Sequence, residues 1–224
     1  MSWLKTRDQD TRALWDGRAS RWDQIYSGSG GLARRAWDRL TRRNIIRRFQ
    51  RCFEAFDVRQ RDVLDLGCGS GHYVLEAANR GAGRVVGIDI SPVMVAMAQE
   101  LLSESGVRAN VELSCRNLWD ADLARRFDLV IAMGLFDYTD DPPELMCRIA
   151  AWCRGGLVAS FPHRLSLRWL PRSIVWRERG VTLQLYSKSR IRDICARSGF
   201  HVQSLERIGP VYHLVAEAAE SPRQ

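Results

Sequence analysis

Asp62-Val-Leu-Asp-Leu-Gly-Cys-Gly-Ser-Gly71 decides how this chain is read. Residues 62–66 have the length and apolar content of a short buried strand, and three glycines at spacing two then carry the backbone through a turn that side chains would obstruct. A helix is expected to begin near His72. This is a nucleotide-type crevice, and the details of the turn discriminate among nucleotides. A dinucleotide fingerprint, Gly-x-Gly-x-x-Gly/Ala, seats a pyrophosphate on the helix N-terminus; here the third glycine arrives one place early and His72 takes the place of the last small residue. Asp65 adds a carboxylate that repels an anion and favours a ligand with positive charge near the turn.

Asp65, Gly67, Gly69 and Gly71 together resemble motif I of the class I S-adenosylmethionine-dependent methyltransferases. A second element agrees with the first. Residues 84–88 read as another apolar strand, closed by Asp89 where such folds place an acid on ribose hydroxyls. Ser91-Pro92 then supplies an N-cap and a first-turn proline for a helix containing Met94. The resemblance implies a Rossmann-like α/β fold: a mostly parallel seven-stranded sheet with its last strand antiparallel, helices on both faces and an N-terminal helical lid. It implies S-adenosylmethionine as cofactor and S-adenosylhomocysteine as product. It places Asp65, Gly67, Gly69, Gly71 and Asp89 around the cofactor, Ile90 and Met94 against adenine, and Asn117, Leu118 and Met133 nearby. Asn117 stands where many relatives carry an aspartate; its amide oxygen can accept the same hydrogen bond without the charge.

The chain of 224 residues, 46% of them hydrophobic, is enough for one well-buried α/β domain with an extension. The expected division is a helical lid or extension over 1–60, a core over 61–217 with a cap insertion at about 164–182, and a tail over 218–224. No membrane span or signal peptide is expected, which points to the cytoplasm. The six cysteines form no Cys-x-x-Cys pair and have no histidine cluster beside them, so no metal site is expected. The formal charge of +8 is compatible with nucleic acid, an anionic lipid surface, an acidic substrate or simply an arginine-rich enzyme.

Upstream of motif I, residues 11–56 read as helical, broken by Ser27-Gly-Ser-Gly-Gly31. Within the second helix, Ile45, Phe49, Cys52, Phe53 and Phe56 share a face, while Arg43, Arg47 and Arg51 recur every fourth residue on another, either as a solvated face or as an anion-binding one. Trp22 and Tyr26 resemble the family's lid aromatics; the alternative is that they anchor the helix on the sheet.

Downstream, residues 111–115 and 127–133 read as the third and fourth strands, and Gly134-Leu-Phe-Asp-Tyr138 falls at a carboxyl strand end, where open α/β sheets bind ligands. Asp141-Pro142 is read as a helix start and not as the Asp-Pro-Pro-aromatic motif of nucleic-acid amino methyltransferases, whose prolines follow the strand directly. Gly155-Gly156 is expected to punctuate before a strand over 157–161. His163 is the candidate base, with Asp137 and Tyr138 as alternatives that orient the acceptor; a packing role for His163 is the competing reading. The insertion after residue 163 suits a flat or greasy acceptor or forms an amphipathic core helix. A hairpin over 200–216 closes the chain. The expected activity is methyl transfer to a small-molecule acceptor, O-methylation in biosynthesis, in a layout similar to tetrapyrrole and quinone O-methyltransferases. An RNA-modifying enzyme and a non-catalytic cofactor-binding regulatory subunit are the alternatives; no recognition module supports a nucleic-acid partner, and oligomeric state is left open.

Overall fold

The computed structural model describes residues 12, 16, 32–107, 110–163 and 184–219. Its elements are α1 (Leu32–Ala55), β1 (Asp62–Leu66), α2 (His72–Asn79), β2 (Arg84–Asp89), α3 (Pro92–Ser105), β3 (Val111–Cys115), β4 (Phe127–Ala132), a 3-10 turn (Leu135–Asp137), α4 (Pro142–Trp152), β5 (Cys153–Pro162), α5 (Lys188–Arg197), β6 (Phe200–Ile208) and β7 (Val211–Ala218). The seven strands form one sheet in the order β3-β2-β1-β4-β5-β7-β6. β1 to β5 pair in parallel, whereas β7 runs antiparallel to both β5 and β6. The order reverses between β1 and β4, and the crevice outside the carboxyl ends of these two strands is the ligand position of such sheets.

Strand alternation explains the two-sided core. Leu64, Leu66, Val86, Ile88, Val130 and Ala132 face one side, where α4 and α5 contribute Leu145, Met146, Ile149 and Ile191. Val63, Val85, Leu129 and Ile131 face the other, against Cys52 and Phe53 of α1 and Val74 and Ala77 of α2. The apolar stripe expected on α1 is therefore what docks it to the sheet. Helix starts follow side-chain chemistry: the hydroxyl oxygen of Ser91 accepts from the Met94 N–H (3.2 Å), the Asp141 carboxylate from Glu144 (3.0 Å) and the Ser187 hydroxyl oxygen from Arg190 (3.2 Å). The prolines after Asp141 thus open α4.

The expected break at Gly155-Gly156 is corrected. β5 begins at Cys153 and continues through both glycines, with a bulge in its register there: Phe127 pairs with Cys153 but Leu129 with Gly156. A Cβ on Gly155 would collide with the Asp128 backbone and one on Gly156 with the Phe56 ring, so these residues are small because neighbours press on a continuing strand. β4 ends at Ala132, one residue earlier than expected, which leaves Met133 just past it. Trp22, Tyr26 and the insertion at about 164–182 lie outside the described residues. No helix among the described residues is long and apolar enough to cross a membrane.

Candidate active site

The glycine turn is built as the sequence requires. Gly67, Gly69 and Gly71 all take positive φ (71°, 53° and 86°), the left-handed region that other residues enter only with strain. The N–H groups of Gly67 and Cys68 both donate to the Ile88 carbonyl (2.8 and 3.0 Å), which fastens the turn to the end of β2. Gly71 has a packing role as well: a Cβ there would lie 2.7 Å from that of Ala98, so its early position closes α2 onto α3. At Gly69 no described residue lies within 4 Å of the position a Cβ would take. That side of the turn is open to a ligand.

Two buried carboxylates flank the opening. Asp65, on the last turns of β1, is 2% exposed, and its Oδ2 has no hydrogen-bond partner among the described residues. Burial first, and the charge of Asp89 second, push its pKa up to about 8. Asp89 is better supplied: its Oδ2 accepts from the Gly69 N–H at 2.8 Å and its Oδ1 from the Ser91 N–H at 2.9 Å. Burial raises its pKa, and hydrogen bonds from the Ser91, Gly69 and Ile90 backbones act against that rise. A lone-pair direction remains on the carboxylate for a further donor. A third acid reaches the same place, since the Ser91 hydroxyl donates to the Asp16 carboxylate in a short hydrogen bond. The charge of Asp16 adds to the upward shift of Asp89.

The other proposed cofactor residues fall around this centre. Met94 is buried at the start of α3 and Ile90 half-buried before it. Asn117 follows β3, with its Oδ1 accepting from the Trp119 N–H at 3.1 Å, so the oxygen expected to meet adenine already holds its own turn. Leu118 packs against the α4/α5 side of the core, and Met133 against the α1/α2 side.

Asp137, Tyr138 and His163 all lie at the carboxyl edge of the sheet. Asp137 ends the 3-10 turn and is buried, while Tyr138 is half-buried. An aromatic stack holds this turn: Phe136 lies 4.2 Å from Phe161, Phe161 lies 5.0 Å from Tyr186, and the Tyr186 hydroxyl donates to the Phe136 carbonyl at 3.0 Å. The hydroxyl of Ser160, itself fully buried, accepts from the Gly134 N–H at 2.8 Å. His163 is 3% exposed, and its ring tilts against Tyr212 at 5.0 Å. Burial, then the nearby Arg207, lowers its pKa, so the ring is neutral near pH 7. The segment at 184–186 links the two sides, with Gln184 N–H donating to Asp137 O and Tyr186 N–H to Pro162 O.

Asp16, Ser91 as a donor, Ser160 and the aromatic stack were not singled out from the sequence as site residues. Ser160 carried a usable signal, as the polar residue in the apolar run Leu157–Phe161. Asp16 carried none, because its partner is 75 residues away.

A family model described as a methyltransferase domain matches residues 37–205, most of the chain. The chain belongs to this methyltransferase family. The methyltransferase is 36% identical over 81 residues to the malonyl-[acyl-carrier protein] O-methyltransferase of Acetivibrio thermocellus, covering 36% of this chain and 27% of that one. It is 30% identical over 99 residues to the tRNA U34 carboxymethyltransferase of Shewanella baltica, covering 44% and 30% respectively. The chain thus spans well under half the length of these two relatives. Among solved structures, magnesium protoporphyrin IX methyltransferase from Synechocystis PCC 6803 with bound SAH superposes with a TM-score of 0.74 at 22% identity, over 93% of this chain and 98% of that one. At that identity the likeness shows a shared fold, the Rossmann-like class I methyltransferase fold expected from the sequence.

Proposed function

We propose that this methyltransferase binds S-adenosylmethionine and transfers its methyl group to an oxygen of a small-molecule acceptor. The observation that carries the cofactor reading is Asp65, a buried acid with an oxygen unpartnered among the described residues, beside an open glycine turn. Such an atom fits a ligand that brings its own cation, as the amino-acid part of S-adenosylmethionine does, and disfavours a pyrophosphate. Asp89 is proposed to accept hydrogen bonds from the ribose hydroxyls, with Ile90, Met94, Asn117, Leu118 and Met133 lining the adenine side. Trp22 and Tyr26 are proposed to close the site from the N-terminal segment. Asp16, through Ser91, is proposed as a positioning residue that holds Asp89 in place.

The cofactor supplies an already activated methyl group on a sulfonium. What remains for the protein is placement: holding an acceptor oxygen in line with that carbon and keeping water out. The 3-10 turn carrying Asp137 and Tyr138, locked by Phe136, Phe161 and Tyr186, provides a rigid wall on which an acceptor can be oriented. His163, neutral near pH 7, is proposed to take the proton if the acceptor is a hydroxyl. The O-methyltransferase among the relatives supports an oxygen acceptor, and the tRNA relative makes RNA the second reading.

Calorimetry with S-adenosylhomocysteine and with NAD tests the cofactor reading. Saturable binding of the first and none of the second is expected; NAD binding in its place would refute the assignment. Methyl transfer from labelled S-adenosylmethionine to a panel of carboxylic acids, phenols and bulk RNA then separates the acceptor classes, and label in RNA alone would overturn the small-molecule reading.

A further inference from the structure

The exposed face of α1 that carries Arg43 and Arg47 is not used by the fold or by the proposed site. We propose that it docks the enzyme onto an anionic lipid bilayer surface. Eight arginines against Asp38 and Glu54 give this one helix a formal charge of +6, most of the chain's +8. Arg39, Arg43, Arg47 and Arg51 follow at spacing four within a continuous helix, spread over roughly 18 Å of its length and about 120° of its circumference. Like charges so placed repel, by about 0.2–0.5 kcal/mol for each pair. An isolated domain gains nothing from that arrangement, whereas an anionic surface along the helix offsets it.

Elsewhere on the surface some arginines are paired and others, such as Arg61, Arg125 and Arg192, are exposed and make no ion pair with any described residue, so α1 stands apart by the concentration of its charge. Arg59 pairs with Asp57, Arg80 with Glu76, Arg84 with Glu112, Arg148 with Glu144 and Arg154 with Asp128. On α1, Arg51 alone of the arginines with described side chains is paired, with Glu54 and Glu206. Arg43 and Arg47 are exposed and make no ion pair with any described residue. Between them stands Ile46, 51% exposed, one of two large apolar side chains exposed among the described residues. The apolar stripe of the helix is already consumed by the sheet through Ile45, Cys52 and Phe53, so the free face is the basic one with a single aliphatic side chain in it.

That combination selects among anionic partners. Single-stranded nucleic acid is held by aromatic rings on which bases stack, and an isoleucine offers no such platform. Guanidinium groups at lipid phosphates with an aliphatic side chain reaching the acyl boundary match a bilayer surface. The contact would be peripheral.

The test is co-sedimentation of the full chain with vesicles of phosphatidylglycerol and phosphatidylcholine, beside vesicles of phosphatidylcholine alone, at about 0.1 M salt. Binding to the first and none to the second is expected. Each basic residue near such a surface is worth about fivefold in affinity, so the Arg43→Glu/Arg47→Glu variant should bind at least ~30-fold more weakly. Ile46→Ser should lose about tenfold. Both changes lie on an exposed face and should not lower thermal stability; relief of the repulsion along the row should raise it slightly in the double variant. Absence of binding to anionic vesicles, binding retained in the double variant, or binding of tRNA through these arginines without binding of vesicles would each overturn the proposal.

Discussion

Asp65 offers the most direct test of how the cofactor is held. In the free protein its pKa is about 8, raised by burial and then by Asp89, so at pH 7 it is roughly nine-tenths protonated. A cationic ligand arriving beside it favours the carboxylate and drives the proton off. Binding of S-adenosylhomocysteine should therefore release about 0.9 proton at pH 7 and about 0.1 at pH 9 from this group. Titration calorimetry in two buffers of different ionisation enthalpy at one pH reads that number directly. The Asp65→Asn variant supplies the baseline, since it removes the carboxyl while any proton exchanged by the ligand itself stays. Equal proton counts in wild type and variant would refute the idea that this acid meets the ligand's cation.

The same shift fixes a second readout, in the absence of ligand. The unfolded carboxyl titrates near 3.9, so between about pH 4 and pH 8 the native state holds a proton that the unfolded state lacks. Its stabilising contribution is complete below the unfolded value and is lost as pH rises through about 8. The Asp65→Asn protein should lack this loss and melt higher than wild type at pH 8.5, while binding S-adenosylhomocysteine more weakly. Gain in stability with loss of affinity from one substitution is a signature that a purely structural acid would not give.

Other substitutions test the remaining parts of the site. Asp89→Ala should weaken S-adenosylhomocysteine tenfold or more by calorimetry, because charge-assisted hydrogen bonds of about 1.5–3 kcal/mol are lost; an unchanged constant in a folded variant would dissociate this acid from the ribose. Gly71→Ala combines a left-handed backbone with a methyl 2.7 Å from Ala98, so urea unfolding should show a loss of about 2–4 kcal/mol. Asp16→Ala should weaken the cofactor severalfold and leave the acceptor KM unchanged, as expected of a residue that acts through Ser91 on Asp89; a change confined to the acceptor KM would assign Asp16 elsewhere.

The parts of this protein that were legible in its sequence are those in which local chemistry is sufficient. The strand-turn-helix at Asp62–Asn79 needs three positive φ values in five residues, and glycine marks each one. The caps at Ser91, Asp141 and Ser187 announce themselves because a side chain bonds a backbone group three residues on. The stripe on α1 was legible because period alone places its residues on one face. Gly155 and Gly156 misled for the opposite reason: as punctuation they signal a turn, but here their size answers pressure from Asp128 and Phe56, contacts that exist only once β4 and α1 are in place. Asp16 was hidden in the same way.

The division also says something about the site. The half proposed to meet the cofactor is written in contiguous motifs, since glycine turn and acid sit on neighbouring strand ends that the sheet brings together by default. The half proposed for the acceptor rests on long-range packing: Ser160 bonding Gly134 across β4 and β5, and Phe136, Phe161 and Tyr186 stacking across three segments. Such a wall can be rebuilt by changing its aromatic residues while Asp65 and Asp89 stay fixed, so acceptor choice is free to diverge on a constant cofactor frame. It follows that substitutions at Phe136 or Tyr186 should alter which acceptor is methylated more than they alter affinity for S-adenosylhomocysteine, and that the reverse should hold at Asp89.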